Sequence, residues 1–149
     1  ELPRGTPDNL VPYITQSAIG KRKKIKVFGM DYETSDGTPV RDYIHVVDLA
    51  NAHVQALNRL IEKKSKKFYE FFNVGTGIGY SVLEVIKSFE KVNNIKLPYE
   101  IVGRREGDIE KIYSDTILSR NELNWKAERN LDEMMKSAWK WEKTLKDLG

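Results

Sequence analysis

Asp36-Gly37-Thr38-Pro39-Val40-Arg41-Asp42-Tyr43-Ile44-His45-Val46 is the stretch whose reading decides the fold. Asp36-Gly37 predicts a turn, because glycine takes positive φ freely and aspartate bonds to nearby backbone. Arg41 to Val47 then predicts an extended piece, and Asp48 stands where a helix cap belongs. Leu49, Ala52, Ala56, Leu57 and Leu60 follow at i, i+3, i+7, i+8 and i+11, one face of a helix running into the charged stretch 62–67. Turn, strand and amphipathic helix in that order begin a mixed α/β pattern.

The flanking sequence extends it. Glu1 to Pro12 is rich in Pro, Gly, Asp and Asn and predicts a loop, with Asp8 or Asn9 able to cap a helix that reaches about Ile19 and stops at Gly20. Pro12 is tolerated near the first turn of that helix. Ile25-Lys26-Val27-Phe28 predicts a short strand closed by Gly29. Downstream, Phe71-Phe72-Asn73-Val74 has the length and apolarity of a buried strand, and Gly75-Thr76-Gly77-Ile78-Gly79 turns the chain toward a helix. Ser81 and Glu84 have capping-box spacing, with Val82, Val85, Ile86 and Phe89 as the buried stripe behind them. Leu97 to Val102 predicts another extended segment, Thr116 to Leu123 a short helix, and Asn130 with Glu133 the start of a last helix lined by Leu131, Met134, Met135 and Ala138.

The chain has 149 residues, 40% of them apolar and 32% charged, which suits one domain with a sizeable core. With no cysteine, disulfides, thiolate metal sites and a cysteine nucleophile are excluded. No run approaches the roughly 20 apolar residues of a membrane helix, so a cytoplasmic protein with no membrane partner is expected. The net charge is +3, and the basic run Lys21-Arg22-Lys23-Lys24 has no interleaved aromatics to stack on bases. A solvated loop is expected there, with no nucleic-acid partner.

Several residues could carry chemistry. The Gly75-x-Gly77-x-Gly79 run departs from the dinucleotide fingerprint, its third glycine coming one place early, so a tight turn is the better reading. Arg41, Arg104 and Arg105 could grip phosphate oxygens in pairs, or simply face solvent and pair with Asp42, Glu106 or Asp108. Asp108 could accept two ribose hydroxyls or an ion pair in its own loop. Phe28 could stack on a flat base or fill the core. His45 and His53 do not have metal-ligand spacing, and His53 on the Leu49–Leu57 face predicts a core histidine. No G-x-S-x-G occurs, so hydrolase chemistry is unsupported.

Asn9-Leu10-Val11-Pro12-Tyr13-Ile14, Phe28-Gly29-x-Asp31-Tyr32, the Asp36–Val46 stretch with Asp48-Leu49-Ala50, Asn73-x-Gly75-x-Gly77, Ser81-Val82-Leu83-Glu84-Val85, Arg104-Arg105-Glu106-Gly107-Asp108, Leu123-Asn124-Trp125 and Leu131-Asp132-Glu133-Met134 recur in one order. In that combination the chain resembles the UDP-glucose 4-epimerases, extended short-chain dehydrogenase/reductases. Related nucleotide-sugar dehydratases, decarboxylases and epimerases share part of the pattern.

The resemblance implies an α/β class, an α+β-like carboxyl-terminal substrate lobe with short strands and three to four main helices over residues 1–149. It implies UDP-glucose and UDP-galactose as ligands. Asn9 and Leu10 would face the diphosphate at a helix start, Arg41 and Arg105 would bind phosphates, Lys26 and Phe28 would flank uracil, Asp108 would hold ribose, and Tyr43 would line the pocket. Ile112 stands where many relatives have a tyrosine near the sugar. The implied cofactor, NAD, is expected on an amino-terminal domain absent from this chain, which would be the partner lobe of a full-length homodimer. The family's catalytic base is the tyrosine of a Tyr-x-x-x-Lys pair, and no tyrosine here is followed by lysine at that spacing. The chain alone is therefore expected to bind a UDP-sugar without epimerising it, and a silent binding module is the alternative.

Overall fold

Asn9 ends an extended entry and Leu10 opens the first helix, in a computed structural model that describes residues 5–148. The predicted amino-terminal loop lies partly outside these residues. Helix α1 (Leu10–Ala18) has Asn9 at its N-cap position without a side-chain capping bond, and Gly20 follows its end at φ +85°. Strand β1 spans Ile25–Phe28 as predicted, and β2 is Val40–Asp42. Helix α2 (Val46–Ile61), strand β3 (Gly79–Ser81), helix α3 (Val82–Asn93), strands β4 (Tyr99–Val102) and β5 (Lys111–Ile112), and helices α4 (Ile117–Leu123) and α5 (Leu131–Leu148) complete the order. The α/β class holds, with five helices among the described residues.

The strands form two small sheets. β1 pairs in parallel with β4, Ile25 opposite Tyr99 and Phe28 opposite Val102. β2 lies between β3, antiparallel, and β5, parallel, with Arg41 opposite both Tyr80 and Ile112. Ile14 of α1, Ile25 and Val27 of β1, Val85, Ile86 and Phe89 of α3, and Leu131, Met134 and Met135 of α5 meet in one core. Each such fully buried side chain contributes roughly 1.5–3 kcal/mol relative to exposure. Trp139 packs edge-on against Phe89 at a centroid distance of 5.8 Å. A smaller cluster joins Ala52 of α2 to Leu123 and Trp125.

Both predicted capping boxes form. Ser81 Oγ accepts from the Glu84 N–H at 3.1 Å while Glu84 Oε2 accepts from the Ser81 N–H at 2.7 Å. Asn130 and Glu133 repeat the exchange, both bonds at 2.9 Å. These satisfy N–H groups that a helix start leaves without intrahelical partners.

Around α2 the sequence expectations need correction. The extended piece stops at Asp42, and His45, not Asp48, caps the helix by accepting from the Val47 N–H at 3.1 Å. Asp48 is buried in the first turn, where its carboxylate accepts from the backbone of Glu128 and Arg129 and pairs with the Arg129 guanidinium. Burial works to raise the Asp48 carboxyl, but those donors outweigh it and hold it below the usual value. On the predicted apolar face Ala52 is buried, whereas Leu57 and Leu60 are 55% and 63% exposed. His53 is exposed, its Nδ1 bonded to the Leu49 carbonyl at 2.8 Å, and is not a core histidine. The predicted strand at 71–74 does not form: Phe71 is exposed, and Phe72 and Val74 pack on the smaller cluster without a β partner.

Candidate functional site

Two strand pairings place the site. β4 ends opposite Phe28 on β1, and β5 begins opposite Val40 on β2, so the loop 103–110 is held at one end by each sheet. The Val40 N–H also donates to the Glu110 carbonyl at 2.8 Å. The charged Arg104-Arg105-Glu106-Gly107-Asp108 stretch therefore bridges the tips of β1 and β2. Gly107, at φ +79°, supplies the left-handed turn that brings Asp108 back.

Asp108 is where the candidates converge. Its Oδ1 accepts from Arg105 Nη2 at 2.9 Å and lies 3.5 Å from Arg41 Nη2, with the carboxylate side chain only 12% exposed. The Arg105 guanidinium sits 5.4 Å from the centre of the Phe28 ring, a cation–π arrangement. Arg41 also donates from Nη1 to its neighbouring Val40 carbonyl at 2.8 Å. Hydrogen bonding to Asp108 raises Arg105 above its ordinary value, and the Asp8 carboxylate adds to that field from beside the start of α1. Four of the predicted residues, Phe28, Arg41, Arg105 and Asp108, thus share one surface.

The other predicted residues stand around it. Tyr43 is half-buried against the core and its phenol is pushed up to about 12 by burial, which the Arg41 charge only partly offsets. Asn9 and Leu10 occupy the start of α1, where Leu10 packs on the core. Lys26 is exposed in β1 opposite Glu100, and Ile112 is exposed in β5 opposite Arg41.

Arg104 does different work from its neighbour. Its Nε donates to Asp31 Oδ1 at 2.8 Å, Nη2 donates to the Asp31 carbonyl, and the guanidinium lies 4.0 Å from the centre of the Tyr32 ring. Tyr32 in turn packs so closely on Gly29, at φ +79°, that a Cβ there would lie 2.5 Å from the ring. This stack ties the loop to the turn after β1. Its one sequence signal was Asp31-Tyr32 following Phe28-Gly29.

Asp42, weighed as an arginine partner, instead organises the glycine-rich turn. Its carboxylate accepts from the N–H groups of Thr76 at 2.9 Å, Gly77 at 3.0 Å and Ser114 at 3.2 Å, and from the Thr76 hydroxyl. The turn donors that a bound phosphate would use are occupied by a resident carboxylate, in agreement with a tight structural turn. Among the described residues no group of three or more histidine, aspartate or glutamate side chains is placed to hold a metal, and no helix is long and apolar enough to cross a membrane.

The fold belongs to the extended short-chain dehydrogenase/reductases. A crystal structure of UDP-glucose 4-epimerase from Stenotrophomonas maltophila with bound NAD and formylated UDP-arabinopyranose superposes with a TM-score of 0.95 and 47% identity, covering 100% of this chain and 44% of that one. The UDP-glucose 4-epimerase of Bifidobacterium longum in complex with NAD+ and UDP superposes at 0.89 with 47% identity, over 95% of this chain and 41% of that one. The sequence model of the family described as GDP-mannose 4,6 dehydratase matches residues 3–138, and the chain belongs to that family. Among characterised relatives it is similar to the UDP-glucose 4-epimerases of Pasteurella multocida, 57% identical over 96% of this chain, and of Homo sapiens, 50% identical over 96%. The chain spans about 41% of the length of the first of these and 40% of the second.

The assignment of NAD to an absent amino-terminal domain is corrected by these matches. The solved structures with bound NAD overlay 95–100% of this chain, and the family match runs through nearly all of it.

Proposed function

We propose that this chain supplies UDP-sugar recognition in a UDP-glucose 4-epimerase, an enzyme interconverting UDP-glucose and UDP-galactose. The observation that carries the reading is the convergence of Arg41 and Arg105 on Asp108 beside the Phe28 ring. Two guanidiniums suit a diphosphate because each presents a rigid fork of donors and stays charged at any working pH. Phe28 offers an aromatic face for a uracil ring, and the largely buried Asp108 offers acceptors for ribose hydroxyls. The start of α1, with Asn9 and Leu10, adds backbone N–H groups and the positive end of a helix dipole. The backbone of Lys26 flanks the uracil.

No residue of this chain is assigned as the catalytic base. No tyrosine is followed by lysine in Tyr-x-x-x-Lys spacing, and the half-buried Tyr43 phenol, pushed up to about 12, holds its proton at neutral pH. In this reading the apolar side chains exposed on α2, Val54, Leu57, Leu60 and Ile61 among them, are covered by the rest of the polypeptide. The full-length protein is a homodimer in the same reading.

Calorimetric titration of UDP into the protein tests the assignment. Arg105→Ala is expected to weaken UDP by about 1.5–3 kcal/mol, the range for a hydrogen bond to a charged group. Unchanged affinity would remove Arg105 from the site.

A further inference from the structure

Both guanidiniums of the clamp contact the same carboxylate oxygen. Asp108 Oδ1 lies 2.9 Å from Arg105 Nη2 and 3.5 Å from Arg41 Nη2, so the seat facing a phosphate already holds an anion from the chain itself. A ligand must therefore compete with a hydrogen bond at Arg105 and an ion pair at Arg41, and it leaves behind a carboxylate whose side chain is 12% exposed. A partly buried carboxylate stripped of its donors is costly, because water recovers only part of what it loses.

We propose that Asp108 is a resident counter-anion that sets the specificity of this surface, excluding inorganic phosphate and pyrophosphate while admitting a nucleoside diphosphate. The proposal rests on the reading above and adds the reason that a bare anion does not fill the clamp. Pyrophosphate would take both guanidiniums and strand Asp108. A nucleoside diphosphate takes them too, but its vicinal ribose hydroxyls are two donors that can replace the lost ones on the carboxylate. The exchange is then donor for donor, and discrimination comes from the group left unpaired by the wrong ligand. Phe28 supports the exchange by giving the Arg105 guanidinium a second contact, its ring centroid 5.4 Å away.

Titrations of UDP and of pyrophosphate into the intact protein, its Asp108→Asn variant and its Asp108→Glu variant decide the matter. Asparagine keeps the size of the side chain and removes the charge, so Asp108→Asn is expected to tighten pyrophosphate roughly tenfold, by restoring two unshared cations, while weakening UDP. Asp108→Glu retains the anion and is expected to keep pyrophosphate excluded. Pyrophosphate affinity that is unchanged or lower in Asp108→Asn overturns the proposal, as does an equal gain in Asp108→Glu. Absence of UDP binding by the unsubstituted protein would defeat the nucleotide-sugar reading, whereas the pyrophosphate comparison would still report whether Asp108 competes for the clamp.

Discussion

Arg59 on α2 grips Glu70 through two parallel hydrogen bonds, Nε to Oε2 at 2.8 Å and Nη2 to Oε1 at 3.0 Å. The same guanidinium reaches the Glu122 carbonyl and carboxylate at 3.0 and 2.9 Å, tying α2, the 62–72 segment and α4 together. The Arg59 bonds, helped by the Lys66 N–H, lower the Glu70 carboxyl from 4.5 to about 2. A carboxylate depressed on folding stabilises the fold above its unfolded value and loses that contribution as pH falls toward its folded value. The stability advantage of the unsubstituted protein over Glu70→Gln should therefore shrink between pH 5 and about 2. Thermal unfolding of both across that window checks this, and a constant difference would contradict it.

Ser81 serves two partners at once. Its hydroxyl caps α3 by accepting from the Glu84 N–H and donates to Asp36 Oδ2. Burial works against the Asp36 charge, but the Ser81 and Thr38 bonds outweigh it and hold that carboxyl below its ordinary value. Ser81→Ala should cost about 1–2 kcal/mol in urea unfolding, the upper part of the range for losing an N-cap.

Tyr32 offers a prediction of opposite sign. Its hydroxyl is buried without a hydrogen-bond partner, while its ring carries the Arg104 stack. Tyr32→Phe keeps the ring and removes an unsatisfied polar group, so thermal stability should be unchanged or slightly raised. Tyr32→Leu removes the stacking face and should loosen the 103–110 loop, seen as faster amide exchange at Arg105 and Asp108.

Gly75 is closed to any side chain by packing, since an added Cβ would collide with Asp42 Oδ2 and the Ser114 side chain. Gly75→Ala should cost about 1–3 kcal/mol by overpacking, measured by chemical denaturation. An unaltered midpoint would show that the Asp42 turn can relax.

What was legible in the sequence was local. The Ser81–Glu84 and Asn130–Glu133 caps form from residues three apart, and β1 is bounded by its own apolar run and Gly29. The misreadings share a distant cause. Asp48 looks like a cap until Arg129 and Glu128, far along the chain, claim its carboxylate. Leu57 and Leu60 keep helical spacing, but periodicity shows only that a face is apolar, not what lies against it. Phe71 to Val74 has strand composition but no strand beside it among the described residues, and composition cannot supply a pairing partner. The site followed the same division. The chemical character of Arg41, Arg105 and Asp108 could be read from residue type, whereas their meeting depends on β1 pairing with β4 and β2 with β5. The structural duties of Arg104 and Asp42 left little trace.

The bridging of two sheets by the 103–110 loop carries a consequence for synthesis of the chain. Phe28 and Arg41 are made before the strands that seat their partner loop, Tyr99–Val102 and Lys111–Ile112. Pairings so far apart in sequence close late, because loop entropy is lost before their contacts form. On the ribosome, Arg41 must wait for Asp108 until the 103–110 loop has emerged, and that loop brings Arg105 to the surface in the same movement.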